Sequence, residues 1–149
     1  MARQKDVGAK EIVHRRAQAT GELRVRTSTL RALRAGAVEK GDPIAAAEIA
    51  GLQAMKRTSE LIPHCHSVPM TASRVEVTAS SRGVRVVAEA EAVDRTGVEM
   101  EALVGATVAL LTVWDMVKYL EKDARGLYPS TSLGPVRVTR KEKRAVVRA

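Results

Sequence analysis

Hydrophobic positions divide the chain into segments of two periods. From Val13 to Val25 the residues are strand-like, with Val13, Ala17 and Ala19 at even spacing. Two further alternating runs follow later. Ser73, Val75, Val77 and Ala79 interleave with Arg74, Glu76 and Thr78. Val84, Val86, Ala88, Ala90 and Ala92 interleave with mostly polar partners. Ser80–Gly83 between them reads as a hairpin turn, so each strand has one face for a core and one for water. Gly134-Pro135 introduces a last strand, with Val136 and Val138 pointing one way.

Helical spacing occupies the remainder. Thr27 can cap a short helix through about Ala35, with Gly36 where a left-handed C-terminal cap belongs. Asp42 is a better N-cap, and Pro43 takes the first helical position, where its missing N–H costs nothing. Ile44, Ala47, Gly51, Leu52 and Met55 then share one face. Pro63 and Pro69 bracket a loop holding His64, Cys65 and His66. A long helix is predicted from about Val98 to Asp123, and its middle is apolar on nearly every side. In one small domain, burial from several directions points to a subunit interface. Interspersed strands and helices around a hairpin predict an α+β fold with helices packed on one face of an antiparallel sheet.

Length and composition narrow the function. A chain of 149 residues makes one domain, with Met1–Lys5 and 142–149 expected as loose polar ends. No leader with a cleavage site is expected. The longest apolar run, Ala102–Trp114, is shorter than the roughly 20 residues of a membrane-spanning helix, which predicts no membrane partner. The lone Cys65 allows no internal disulfide and fits a reducing, cytoplasmic compartment. A net charge of +8 favours an anionic partner, although part of the excess sits in the tail from Arg140 to Arg148. Single-stranded RNA binders stack bases on aromatic rings, and one Trp, two Tyr and no Phe leave little for that purpose. No nucleic-acid partner is therefore expected.

Four constellations can carry chemistry. Lys40 stands just outside the capped helix N-terminus, where free N–H groups and the dipole favour anions. An ordinary solvated lysine fits the same pattern. His64, Cys65 and His66 are all metal-ligand types, but in extended backbone the histidines point one way and the cysteine the other. With His14 the only other histidine, no tetrahedral set can be completed, and no metal is expected. The histidines suit general acid chemistry or phosphate donation, and equally a hydrogen-bonded loop. Asp115, Lys118 and Lys122 fall on neighbouring positions of one helix face. They can move protons or bind a phosphate chain, or form a surface ion pair of small energy. Glu99 and Glu101 open the same helix, where acidic residues are ordinary partners of its dipole.

In this order and at these distances the segments resemble the cyclic pyranopterin monophosphate synthase family, the molybdenum cofactor biosynthesis C proteins. The likeness runs from about Asp6 to Lys141. It is carried by Lys40-Gly41-Asp42, by the run from Ala50 to Thr58, and by Leu61-Ile62-Pro63-His64-Cys65-His66. Thr96 to Leu103, Asp115-Met116-Val117-Lys118 with Lys122-Asp123, and Gly134-Pro135-Val136-Arg137 complete it. The resemblance implies a lyase that converts 3′,8-cyclo-7,8-dihydro-GTP into cyclic pyranopterin monophosphate and releases pyrophosphate. It implies Asp115 as acid/base, with Lys40 and Lys118 as essential lysines. His64, Cys65, His66, Glu99, Met100, Glu101, Lys56 and Lys122 are implied as substrate-binding positions. It further implies a ferredoxin-like fold, a homohexamer built as a trimer of dimers with sites at subunit interfaces, and no cofactor beyond Mg2+ on the substrate's phosphates. Two departures stand out: His64 takes the place of a leucine found in many relatives, and the segment Ala124–Leu133 is longer than in bacterial ones.

Overall fold

A computed structural model describes residues 1–146. Five strands and four helices follow one another as β1 (Val13–Arg24), α1 (Thr27–Arg34), α2 (Pro43–Lys56), α3 (Thr58–Leu61), β2 (Met70–Ala79), β3 (Val84–Asp94), α4 (Glu99–Glu121), β4 (Ser132–Leu133) and β5 (Arg137–Arg144). β1 lies at the centre of one antiparallel sheet. It pairs with β3 on one side, and with β5 and the short β4 on the other, while β2 pairs with the far edge of β3. Thus β3 lies between β1 and β2, and β1 lies between β3 and β5. Two split β-α-β units interleave, which is the α+β arrangement expected from the sequence.

The alternation fixes which face is covered. Ala17, Ala19 and Leu23 of β1, Val75 and Val77 of β2, and Val84 through Ala92 at even positions of β3 are buried under the helices. Polar residues at the other positions form the outer face. There Arg16 donates to Glu89 at 2.7 Å and lies 3.4 Å from Glu91, which His14 meets at 3.0 Å.

α2 and α4 lie side by side on the sheet and cross closely. A Cβ on Gly51 would stand 3.0 Å from the carbonyl oxygen of Gly105, and one on Gly105 would stand 2.5 Å from Met55 Cγ. Only bare backbone lets the helices approach this far. By length and composition α4 could cross a membrane, but its Ala102, Ala106, Ala109, Leu110, Val113 and Val117 are fully buried against α2 and the sheet. A single chain leaves the other flank uncovered: Leu111 is exposed, and Val104 and Val108 are half-buried.

Most boundaries fall where the pattern puts them. Asp42 caps α2 by accepting from the N–H groups of Ile44 and Ala45, and Gly36 has φ +65° after α1. Three details differ. Thr27 is the first residue of α1 rather than its cap, and the capping residue Arg26 makes no side-chain bond to the helix. The final strand runs on to Arg144, so residues 142–144 are sheet rather than a loose end. Cross-strand pairing with β1 overrides the exposed, charged composition of that stretch; residues 147–149 lie outside the described residues. At the other end, the side chain of Gln4 donates to Cys65 O at 2.8 Å, and the carbonyls of Arg3 and Lys5 are also engaged, so Met1–Lys5 is tied down in part.

Candidate active site

Helix α4 carries two clusters, one at each end. At its C-terminal half, Asp115 and Lys118 are one turn apart on the exposed face. Lys118 Nζ donates to Asp115 Oδ1 at 2.6 Å. Lys40 Nζ reaches the other carboxylate oxygen at 3.2 Å and the Asp115 carbonyl at 3.1 Å. The loop bearing Lys40 is pinned from the same helix, because the Glu39 N–H donates to the Tyr119 hydroxyl at 2.9 Å. Two ammonium groups therefore flank one carboxylate at the surface. The hydrogen bond from Lys118, then that from Lys40, holds the Asp115 carboxyl below its ordinary range, and Asp115 in turn raises the Lys118 ammonium. All three side chains are substantially exposed, so solvent screens the pair energies and the cluster adds little to stability.

The N-terminal end of α4 is built differently. Glu101 is only 2% exposed, and its Oε2 is buried with no hydrogen-bond partner among the described residues. Its Oε1 accepts from Cys65 Sγ at 3.9 Å. Burial raises the Glu101 carboxyl, and the charge of Glu99 adds to the rise. Burial also raises the Cys65 thiol, with Glu101 adding to it. At Glu99 burial pushes upward too, yet the hydrogen bond from Lys141 and that from its own backbone N–H win and hold the carboxyl low. His64 Nδ1 donates to Arg3 O and His66 Nε2 to Lys5 O, both at 2.8 Å. Those bonds leave Nε2 of His64 and Nδ1 of His66 as the nitrogens free to act as acceptors.

The residues singled out from the sequence thus sort into three groups. Lys40, Asp115 and Lys118 come together. His64, Cys65, His66, Glu99 and Glu101 gather at the other end, where Met100 lies exposed in the first turn of α4. Lys56 and Lys122 end α2 and follow α4 as exposed side chains, and among the described residues neither forms a side-chain hydrogen bond or ion pair with either cluster.

Lys141 was missed, because its surroundings read as a solvated basic tail. It pairs with Ala17 across the β1–β5 ladder, and Ala17 faces the helices; alternation carried into the tail would have put Lys141 on that side of the sheet, where its largely exposed side chain reaches Glu99. Arg15 was missed as well. It donates to the carbonyls of Asp94 and Arg95 at 3.0 and 2.9 Å, and its charge also lowers Glu99.

Separation along the helix is the central geometric fact. Glu101 lies in the first turn of α4, on the same continuous helix as Asp115. Fourteen residues at 1.5 Å each put the two about 21 Å apart along the axis.

Comparison with known proteins agrees with these features. Residues 4–144 match the MoaC family. A protein of Archaeoglobus fulgidus named probable cyclic pyranopterin monophosphate synthase is 51% identical over 138 residues, covering 93% of this chain and 88% of that protein. Relatives with the same name from Pyrococcus abyssi and Methanococcoides burtonii are 47% and 46% identical, over 93% and 95% of this chain and 87% and 89% of theirs. With likeness of this depth over nearly its whole length, the chain belongs to the MoaC family.

Proposed function

We propose that this protein is a cyclic pyranopterin monophosphate synthase of molybdenum cofactor biosynthesis, a lyase acting on 3′,8-cyclo-7,8-dihydro-GTP with release of pyrophosphate. The observation that carries the reading is the exposed Lys40–Asp115–Lys118 cluster on a chain of this family. Two preset ammonium groups suit a triphosphate, and they can stabilise the charge that develops on a departing pyrophosphate. A carboxylate held low is a weak proton acceptor while both lysines sit on it. When a phosphate chain draws the ammonium groups away, Asp115 regains basicity, which ties proton transfer to substrate binding.

At the other end, burial raises the Glu101 carboxyl and the Cys65 thiol, so each keeps its proton to higher pH than a solvated group would. They suit the repeated proton transfers that rebuild a purine into a pterin. His66, held by Lys5 O, offers Nδ1 in the same region. Because one chain holds its two clusters about 21 Å apart, we assign each pocket to two subunits. Glu101 of one chain would meet Asp115 of its neighbour, with the uncovered flanks of α4 packed antiparallel about a two-fold axis. A trimer of such dimers gives the homohexamer. We assign no resident cofactor, and Mg2+ enters on the substrate's phosphates. A cytoplasmic location accords with this chemistry. The test is product analysis: incubation with the cyclised dihydro-GTP should yield cyclic pyranopterin monophosphate and one pyrophosphate per turnover. Unchanged substrate with folded protein would refute the assignment.

A further inference from the structure

The segment between α4 and β4 is tied down at both ends. Asp123 folds its start: the carboxylate accepts from the N–H groups of Arg125 and Leu127, both at 2.8 Å, and the Asp123 N–H donates to Leu127 O at 2.8 Å. Its far end is held by Glu121, the last residue of α4, which is fully buried. The Glu121 carboxyl accepts from the Thr131 hydroxyl at 2.6 Å, from the Arg26 N–H at 3.0 Å and from the Thr29 hydroxyl. One side chain thereby joins the segment to α1 and to the residue that leads into it.

Between these anchors Tyr128 meets Trp114 edge to face, with ring centroids 6.0 Å apart at 88°. Trp114 precedes Asp115 in the chain and lies one turn before Lys118. The Tyr128 ring is therefore braced from behind at the margin of the lysine cluster. It is half-buried, yet among the described residues no group hydrogen-bonds its hydroxyl. A tyrosine with a fixed ring and a free hydroxyl is a ready donor.

We infer that Tyr128 is a further ligand-binding residue of the Lys40–Asp115–Lys118 site, its hydroxyl donating to an oxygen of the phosphate chain that Lys118 attracts. The inference rests on that cluster being the phosphate end of the pocket. Proximity supports it: Asp115 chiefly raises the Lys118 ammonium, and Tyr128 lies near enough to add a small contribution of the same sign. The chemistry agrees: a hydroxyl beside an ammonium group adds direction to a point charge, and a hydrogen bond to a charged oxygen is stronger than one between neutral groups.

Tyr128→Phe keeps the ring on Trp114 and removes only the donor. Calorimetric titration with pyrophosphate at constant salt should show binding about tenfold weaker than wild type, with an unchanged melting temperature. For the cyclised dihydro-GTP, KM should rise by a similar factor while kcat stays within about threefold. A purely structural tyrosine predicts no change in either affinity, because phenylalanine fills the same space. Equal pyrophosphate affinity in Tyr128→Phe and wild type would overturn the inference, as would a wild-type protein with no measurable affinity for pyrophosphate. Wild type that binds pyrophosphate but leaves the cyclised dihydro-GTP unconverted would instead overturn the enzymatic reading, with the Tyr128 comparison still decided by pyrophosphate.

Discussion

The two ends of α4 solve opposite electrostatic problems with the same residue type. At Asp115 a carboxylate is exposed and flanked by two lysines, and direct charge pairing keeps it ionised. At Glu101 a carboxyl is buried beside a thiol, with no ion pair among the described residues, and desolvation favours the neutral form. Glu99, two residues away, shows that burial alone does not decide: Lys141 reverses its effect. Position along one helix thus sorts acids into one held ionised and one pushed toward its neutral form, through what sits beside them and how much water remains.

Breaking the charged end should give the largest effect. Asp115→Asn keeps the size and removes charge and basicity, so turnover should fall at least ~100-fold with oligomer and thermal stability nearly unchanged. Stopped assays on the folded variant check this, and near-normal turnover would remove Asp115 from the chemistry. Next come the two lysines, which need not be equivalent. Lys40→Ala, beside the capped start of α2, should weaken pyrophosphate binding more, whereas Lys118→Ala should slow turnover more than it weakens pyrophosphate. Equal effects on pyrophosphate affinity would contradict that division.

The helix crossing that holds both ends in place gives a stability test. Gly105→Ala drives a Cβ toward Met55 and should destabilise by about 1–3 kcal/mol in denaturant unfolding. At the buried end, Glu101→Gln should act through pH. The folded-state carboxyl is raised, so ionising it costs stability as pH rises through its folded pKa. The Gln variant should melt above wild type near neutral pH, and the gap should close as pH falls below the ordinary carboxylate range. A gap independent of pH would mean that Glu101 is not raised. The smallest effect concerns metal: strong chelation should leave the fold intact, and purified protein should carry well under one transition metal per chain. Stoichiometric zinc lost together with the fold would assign His64-Cys65-His66 to a metal after all.

How far the sequence alone reaches follows the same contrast. Strands with one buried face announce themselves by alternation, and Asp42-Pro43 marks the start of α2 by cap chemistry. Asp115 and Lys118 are one helical turn apart, so local spacing already joins them. Lys40 reaches them across 75 residues, a meeting that tertiary packing makes and that the family resemblance alone suggested. Lys141 and Arg15 escaped notice because a charged residue in a strand looks merely solvated until the strand's neighbours and the groups its side chain reaches are known. Tyr128 lies outside any periodic pattern, and Glu121, although it continues the buried stripe of Val113 and Val117, reads as an ordinary polar helix end; the roles of both depend on a loop folding back onto α4. Pairing between subunits leaves no mark in one sequence beyond an apolar helix with too many apolar sides.

That pairing is the central claim, and mixed oligomers test it most directly. Glu101→Ala and Asp115→Ala, each inactive alone, are unfolded together, co-refolded, and shown by native mass spectrometry to have mixed. If each pocket draws Glu101 from one chain and Asp115 from its neighbour, some pockets regain both wild-type residues and activity returns in part. Mixed oligomers that form and remain inactive would contradict a site shared between two copies of α4.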